Sequence, residues 1–260
     1  MGGGTWTRDK FATYSTSIGR SVDSKGAISG DYRAQEMFTQ RRIAPELDPK
    51  NAIRECCDSE EHPNTRPVIL ALDVTGSMGG ASVKVAKELN VIMTELYGKV
   101  KDVEFLIMGI GDLAYDSAPI QASQFESDIR IAEQLDKIYF EAGGGGNAYE
   151  SYTAAWYFGL NHCKLDCWNR GKKGIIITLG DEPLNPYLPM SPLAVSTGNK
   201  IQGDVETDEL FKEVIQKYDV YHLAVEDRET SYWRYADRIK SSFGKYLDEN
   251  HLKVVNMNNL

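Results

Sequence analysis

Apolar runs of strand length alternate with amphipathic runs of helix length from about residue 65 onward. The apolar runs predict strands at 68–72, 103–110, 174–179, 220–225 and 251–255. The amphipathic runs predict helices at 82–97, 127–139, 148–163, 206–218 and 231–247. Strands separated by helices predict an α/β fold: a doubly wound, mostly parallel central sheet with helices on both faces, as in Rossmann-like proteins.

Residues 1–64 lack this alternation, so we predict an N-terminal extension followed by an α/β domain at 65–260. The opening is rich in glycine and serine, which is typical of flexible chain, and a short helix is predicted over 31–42. The extension also contains Trp6, Phe11 and Phe38, which are unusual in a disordered tail. We therefore expect it to pack on the core.

The first strand of the α/β domain ends in Asp73-Val74-Thr75-Gly76-Ser77, which places one carboxylate and two hydroxyls at alternate positions. Ser82 follows as the predicted N-cap of a helix that Gly98 closes. In open α/β sheets, ligands bind at this end of a strand. Such oxygens are hard ligands that suit Mg²⁺, Mn²⁺ or Ca²⁺. The spacing fits equally well a turn whose side chains cap the helix and bind nothing.

The motif DVTGSM after a buried strand resembles the start of the metal-ion-dependent adhesion site (MIDAS) of von Willebrand factor A (VWA) domains. The likeness in the order of strands, helices and loops extends over most of Thr65–Asp227. It implies a VWA-type sheet whose edge strand at 119–125 is antiparallel. It also implies a magnesium ion, or Mn²⁺ or Ca²⁺, bound by Asp73, Thr75 and Ser77.

Two other parts of the family's site depart from its pattern in this sequence. Gly146 stands where the family has a threonine, so we expect water, Asn147 or Glu150 to replace that hydroxyl. The strand-end aspartate corresponds to Asp181, which comes one position late. Asp112 follows the neighbouring strand and is a further candidate ligand. Such carboxylates would repel one another without a cation, which is the physical reason to expect a metal.

The resemblance implies a binding module and not an enzyme: a divalent-cation-dependent site that an Asp or Glu of a partner protein completes. It also implies work beside ATPase-associated or chaperone-like assemblies. One alternative is a metal-dependent hydrolase of phosphoesterase type, with the cation as Lewis acid. A second is a structural domain with a degenerate metal site. The sequence has no GxSxG, HExxH or P-loop motif, so no catalytic residue is predicted.

Composition bears on the compartment and on the partners. The formal net charge of −9 argues against binding nucleic acid or an anionic membrane. No apolar run approaches the ~20 residues of a membrane span, and the N-terminus lacks a signal-peptide core. We therefore expect a cytoplasmic protein. The four cysteines lack the usual zinc spacing and suit a reducing compartment.

Overall fold

The computed structural model describes residues 3–141, 146–228 and 230–259. Its strands are β1 Arg54–Cys56, β2 Arg66–Asp73, β3 Val103–Ile110, β4 Ile120–Ala122, β5 Cys163–Leu165, β6 Gly174–Gly180, β7 Tyr187–Leu188, β8 Val205–Glu206, β9 Tyr218–Glu226 and β10 Leu252–Asn256. Its helices are α1 Arg8–Ser17, α2 Ala34–Met37, α3 Gly79–Lys99, α4 Arg130–Leu135, α5 Thr153–His162, α6 Met190–Thr197, α7 Thr207–Lys217 and α8 Tyr232–Phe243.

Six strands form the central sheet in the order β10-β9-β6-β2-β3-β4. Every neighbouring pair is parallel except β3 and β4, which run antiparallel. The predicted fold class is therefore confirmed, including its antiparallel edge strand. At the centre of the sheet, Leu72 of β2 lies opposite Leu179 of β6 and Gly109 of β3. This register brings the ends of β2 and β6 to the same edge.

Side chains of the central strands alternate between two apolar layers, as the period of a strand requires. Ile69 and Ala71 of β2 pack in one layer with α5 and the last helices of the chain. Val68 and Leu72 pack in the other layer with α3 and α4. Helices thus cover both faces of the sheet, which explains why β2 and β3 are apolar almost throughout.

The N-terminal segment packs on the second of these layers. Trp6 and Phe11 are buried there, and the Trp6 indole donates a hydrogen bond to the Asn90 side chain in α3 at 3.0 Å. Arg20 pairs with Asp136 beside α4 at 2.6 Å. These contacts are of the kind expected from the aromatic content of the segment. The boundary at residue 64 stays a prediction.

The start of α3 differs from its prediction. The helix begins at Gly79, directly after one 3₁₀ turn at Gly76–Met78. Ser82 is therefore inside the helix and not its N-cap, and its hydroxyl donates to the Asp73 carbonyl at 3.2 Å. Gly98 lies within the last turn and does not end the helix. Burial of one face of α3 stabilises these extra turns beyond what local capping predicts.

Other element predictions were wrong in extent or missed an element. Helix α1 occupies part of the opening that was predicted to be flexible, and β7 and α6 lie in the predicted loop after Leu184. Strands β1 and β5, which pair in parallel outside the main sheet, were not predicted. The predicted helices at 31–42, 127–139 and 148–163 are shorter in the structure. Tertiary packing and not local propensity decides these short elements.

Among the described residues, no helix has both the length and the apolar character that crossing a bilayer requires. The four cysteines are free thiols, and three of them are buried. The compartment itself stays a prediction.

The buried Glu104 side chain in β3 gives a testable pH dependence. Burial raises its pKa to about 7, and one of its carboxylate oxygens has no hydrogen-bond partner among the described residues. A raised pKa means that the folded protein holds this proton more tightly than the unfolded chain. Stability from this group is therefore present at low pH and is lost as pH rises from about 4.5 through 7.

We expect Glu104→Gln to remove that loss. Between pH 5 and pH 8, the free energy of unfolding of the wild type should fall by roughly 2–3 kcal/mol relative to the variant. Urea denaturation across this range measures the difference. Parallel pH profiles of the two proteins would show that Glu104 is not the group responsible.

Candidate metal site at the carboxyl edge

The candidate site lies where three adjacent central strands end. Strand β2 ends at Asp73, β6 is followed by Asp181, and Asp112 comes two residues after β3. Since β6, β2 and β3 are parallel neighbours, their carboxyl ends meet at one edge of the sheet. The structure thus places at one edge of the sheet the three aspartates that sequence analysis proposed from separate segments. We call this region the carboxyl edge.

Asp73 is fully buried and accepts three hydrogen bonds. Its Oδ1 atom accepts from the Thr75 backbone N–H at 2.9 Å and from the Thr75 hydroxyl at 2.6 Å. Its Oδ2 atom accepts from the Tyr152 hydroxyl at 2.7 Å. Thr75 therefore orients Asp73 in this structure, and the role of both as metal ligands stays a prediction.

Ser77 and Asp181 form the second pair at this edge. The Ser77 hydroxyl donates to Asp181 Oδ1 at 3.1 Å, and the Ser231 backbone N–H donates to Asp181 Oδ2. Asp181 is buried, whereas Ser77 is half-buried beside the exposed Gly76. The one-position shift of Asp181 along the chain thus does not remove it from the site. Ser77 lies where this pair meets solvent.

Tyr152 is a member of the site that sequence analysis missed. It is fully buried directly before α5, and besides its bond to Asp73 its hydroxyl oxygen accepts from the Glu182 backbone N–H at 3.3 Å. A Cβ atom on Gly180 would overlap the Tyr152 hydroxyl. A glycine before Asp181 is therefore a steric requirement of this tyrosine, and that unusual glycine was the available sequence signal.

The remaining candidates lie around Asp112 and Glu150. An oxygen of Asp112 accepts from the Ala114 backbone N–H at 2.8 Å, and the Asn147 side chain is near enough to lower the pKa of Asp112 against the effect of burial. Glu150 is buried and lies near enough to Asp73 and Asp112 for their charges to raise its pKa. Asn147 thus lies beside Asp112, and no hydrogen bond joins it to Asp73 among the described residues. Of the glycine run, residues 143–145 lie outside the described residues.

Burial and mutual repulsion raise the pKa values of the acids at this edge. The pKa of Asp73 is raised by burial and by the charge of Asp181. That of Glu150 is raised by burial and by Asp73, and that of Asp181 is raised by burial. The pKa of Glu182, next along the chain, is raised to about 7 by burial and by Asp181. Ionising all four at once is therefore unfavourable in the absence of a cation.

The side chains at the carboxyl edge offer only oxygen atoms as ligands for a cation. Across 3–141, 146–228 and 230–259, no three His, Cys, Asp or Glu side chains converge as a metal site by themselves. A cation here would need hydroxyl ligands as well as carboxylates. One oxygen each of Asp112, Glu150 and Glu182 is buried with no hydrogen-bond partner among the described residues. An all-oxygen, acidic set with such unpartnered oxygens fits a hard cation.

In comparisons with known proteins, this chain is similar to solved structures but matches no family model and no curated sequence. A crystal structure of the pilus adhesin SpaC from Lactobacillus rhamnosus GG is 11% identical over 79% of this chain and 29% of the adhesin, with a TM-score of 0.47. Its open conformation gives 12% identity, the same coverage and a TM-score of 0.45.

The SpRpn10 VWA domain is 11% identical over 74% of this chain and 87% of that domain, with a TM-score of 0.39. This chain thus spans less than a third of the adhesin's length but most of the VWA domain's. Structural similarity at these TM-scores, all below 0.5, does not indicate a shared function. The fold class therefore rests on the strand order of the chain itself.

The contact between Gly180 and Tyr152 gives a prediction about stability. We expect Gly180→Ala to lower the free energy of unfolding by about 3 kcal/mol, because the new methyl group overlaps a buried, hydrogen-bonded hydroxyl. Chemical denaturation measures the loss. Gly203→Ala is the matched control, since nothing lies within 4 Å of that position.

The double variant Gly180→Ala/Tyr152→Ala identifies the source of the loss. If the overlap is with Tyr152, Gly180→Ala costs far less in the Tyr152→Ala background than in the wild type. An equal cost in both backgrounds would contradict this explanation.

Proposed function

We propose that the chain is a VWA-type protein-binding module whose carboxyl edge binds a divalent cation, Mg²⁺ by preference. Asp73, Ser77 and Asp181 would hold the cation, and an Asp or Glu of a partner protein would complete its coordination. The observation that supports this most is the contact between Ser77, which follows β2, and Asp181, which follows β6. Beside it, Tyr152 holds the buried Asp73 carboxylate.

The physical argument is charge balance. Asp73, Asp181 and Glu150 are buried acids whose negative charges disfavour one another, and the described residues place no cationic side chain in hydrogen-bonding contact with them. A bound divalent cation would stabilise their ionised forms, and it favours oxygen ligands. Thr75 and Tyr152 would then act indirectly, by holding the Asp73 carboxylate in place.

The surroundings of Ser77 support a protein as the partner. The two most exposed aromatic side chains in the described chain, Tyr115 at 60% and Trp233 at 63%, both lie on segments that border the carboxyl edge. Tyr115 is close to Gly146, and Trp233 is two residues after Ser231, which binds Asp181. Exposed aromatic residues of this kind carry much of the binding energy of protein interfaces.

The proposal predicts that cation binding stabilises the fold. A cation at 100 times its dissociation constant adds about 2.7 kcal/mol, so 10 mM Mg²⁺ should raise the melting temperature by several degrees over EDTA. Asp181→Asn should abolish this response while keeping the shape of the side chain. Asp237→Asn, an exposed change in α8, should leave the response intact. Equal melting temperatures of the wild type in Mg²⁺ and EDTA would argue against the site.

The proposal also predicts metal-dependent capture of a partner. From a lysate of the source cells, the immobilised wild-type protein should retain a protein in Mg²⁺ that EDTA releases. Ser77→Ala should not retain it, because the hydroxyl at the solvent side of the site is lost. Quantitative mass spectrometry of the eluates measures this. Retention that is the same in EDTA would mean that binding does not pass through a cation.

A further inference from the structure

A cavity of about 600 Å³ lies at the opposite edge of the sheet, where β2, β3 and β6 begin. Five basic side chains line it, and we call it the amino-edge groove: Arg66, Lys101, Arg170, Lys172 and Lys173. The acidic side chains in its lining are Asp102 and Asp219. The whole chain carries a net charge of −9, so a basic groove of this size runs against its overall charge.

Acids of the protein neutralise part of this groove. Arg170 forms an ion pair with Asp58, and Lys173 lies 3.4 Å from Asp219. The other three basic side chains, Arg66, Lys101 and Lys172, are exposed and form no ion pair or side-chain hydrogen bond with the described residues. These three charges are therefore available to a ligand.

Helix dipoles do not account for all three of these charges. Lys101 follows the C-terminus of α3, where a cation is favourable without any ligand. Arg66 is instead the first residue of a strand, and Lys172 lies between a 3₁₀ turn and β6. Arg66 and Lys172 thus lie at or just before the first residue of a strand, where no helix dipole stabilises their charges. Neither has an ion-pair partner among the residues that the structure describes.

The less exposed part of the groove's lining is largely apolar, and we call it the apolar base. Pro67 and Cys167 are buried and Ile175 is half-buried, and all three contribute to it, together with the buried Thr65. A volume of about 600 Å³ lies within the roughly 300–1,000 Å³ of pockets that bind small organic ligands. The groove thus combines exposed cationic side chains with less exposed apolar ones.

We infer that the amino-edge groove binds a small organic phosphate of nucleotide size. Its phosphates contact Arg66, Lys101 and Lys172, and its ring system packs against Pro67 and Ile175. Cationic side chains are the usual partners of phosphate, whereas the apolar base suits a ring and gives no partner to an inorganic ion. Arg66 of the groove precedes Asp73 by seven positions in β2, which is roughly 23 Å of extended chain. The inference is therefore independent of the cation site.

The test is calorimetric titration of the full chain with ATP in EDTA, in which the carboxyl edge holds no divalent cation. We expect binding that weakens as salt is raised. Lys101→Ala/Lys172→Ala should weaken it at least tenfold. The matched control is Lys245→Ala/Lys253→Ala, which removes the same charge from exposed positions outside the groove. It should change the affinity less than twofold. Circular dichroism verifies the fold of each variant.

Three results would overturn the inference, and a fourth, given last, would overturn the part of it that concerns the ring system. One is the absence of binding at millimolar ATP in low salt, and another is an equal loss in the two double variants. The third is hexaglutamate binding as tightly as ATP and with the same dependence on Lys101 and Lys172, which would assign the groove to acidic peptides. Pyrophosphate should bind at least fivefold more weakly than ATP. Equal affinity would contradict a role for the apolar base.

Discussion

Repulsion between buried carboxylates at the carboxyl edge is the constraint on which the rest of this structure depends. Asp73 and Asp181 follow neighbouring parallel strands, so the register that builds the apolar core also forces these two acids together. Hydrogen bonds from Thr75, Tyr152 and Ser77 offset part of the cost. Protonation relieves the remainder, and under the proposed function a bound cation would do so instead, so the ionisation of this edge depends on pH.

Tyr152 links that edge to the core. Its ring packs against His222, with the ring centroids 5.1 Å apart, and against Phe243 at 5.8 Å. The hydroxyl that holds Asp73 is therefore positioned by aromatic packing between a strand and the last helix. A substitution of His222 or Phe243 would therefore alter the hydrogen bond to Asp73 by moving the Tyr152 ring, without a direct contact with the carboxylate.

The sequence predicted the sheet and the aspartates but not how they are held. Buried parallel strands are visible in the sequence as apolar runs. Asp73, Asp112 and Asp181 follow such runs, so their position at one edge of the sheet could be predicted. Tyr152 could not be separated from the other aromatic residues of its run, because its role depends on contacts distant in sequence. The short strands β1 and β5 could not be predicted for the same reason, because each pairs with a strand more than 100 residues away.

The N-terminal segment has a mechanical consequence for α3, the helix that begins beside the carboxyl edge. Asn90, midway along α3, accepts from Trp6 and donates to the Gly26 carbonyl at 2.9 Å. Lys87, one turn earlier, donates to the Gly30 carbonyl at 2.6 Å. Axial sliding of α3 against the sheet would break these hydrogen bonds between the helix and the N-terminal segment. These hydrogen bonds hold α3 at its middle, so they resist an axial shift of its first turn, which lies beside the carboxyl edge.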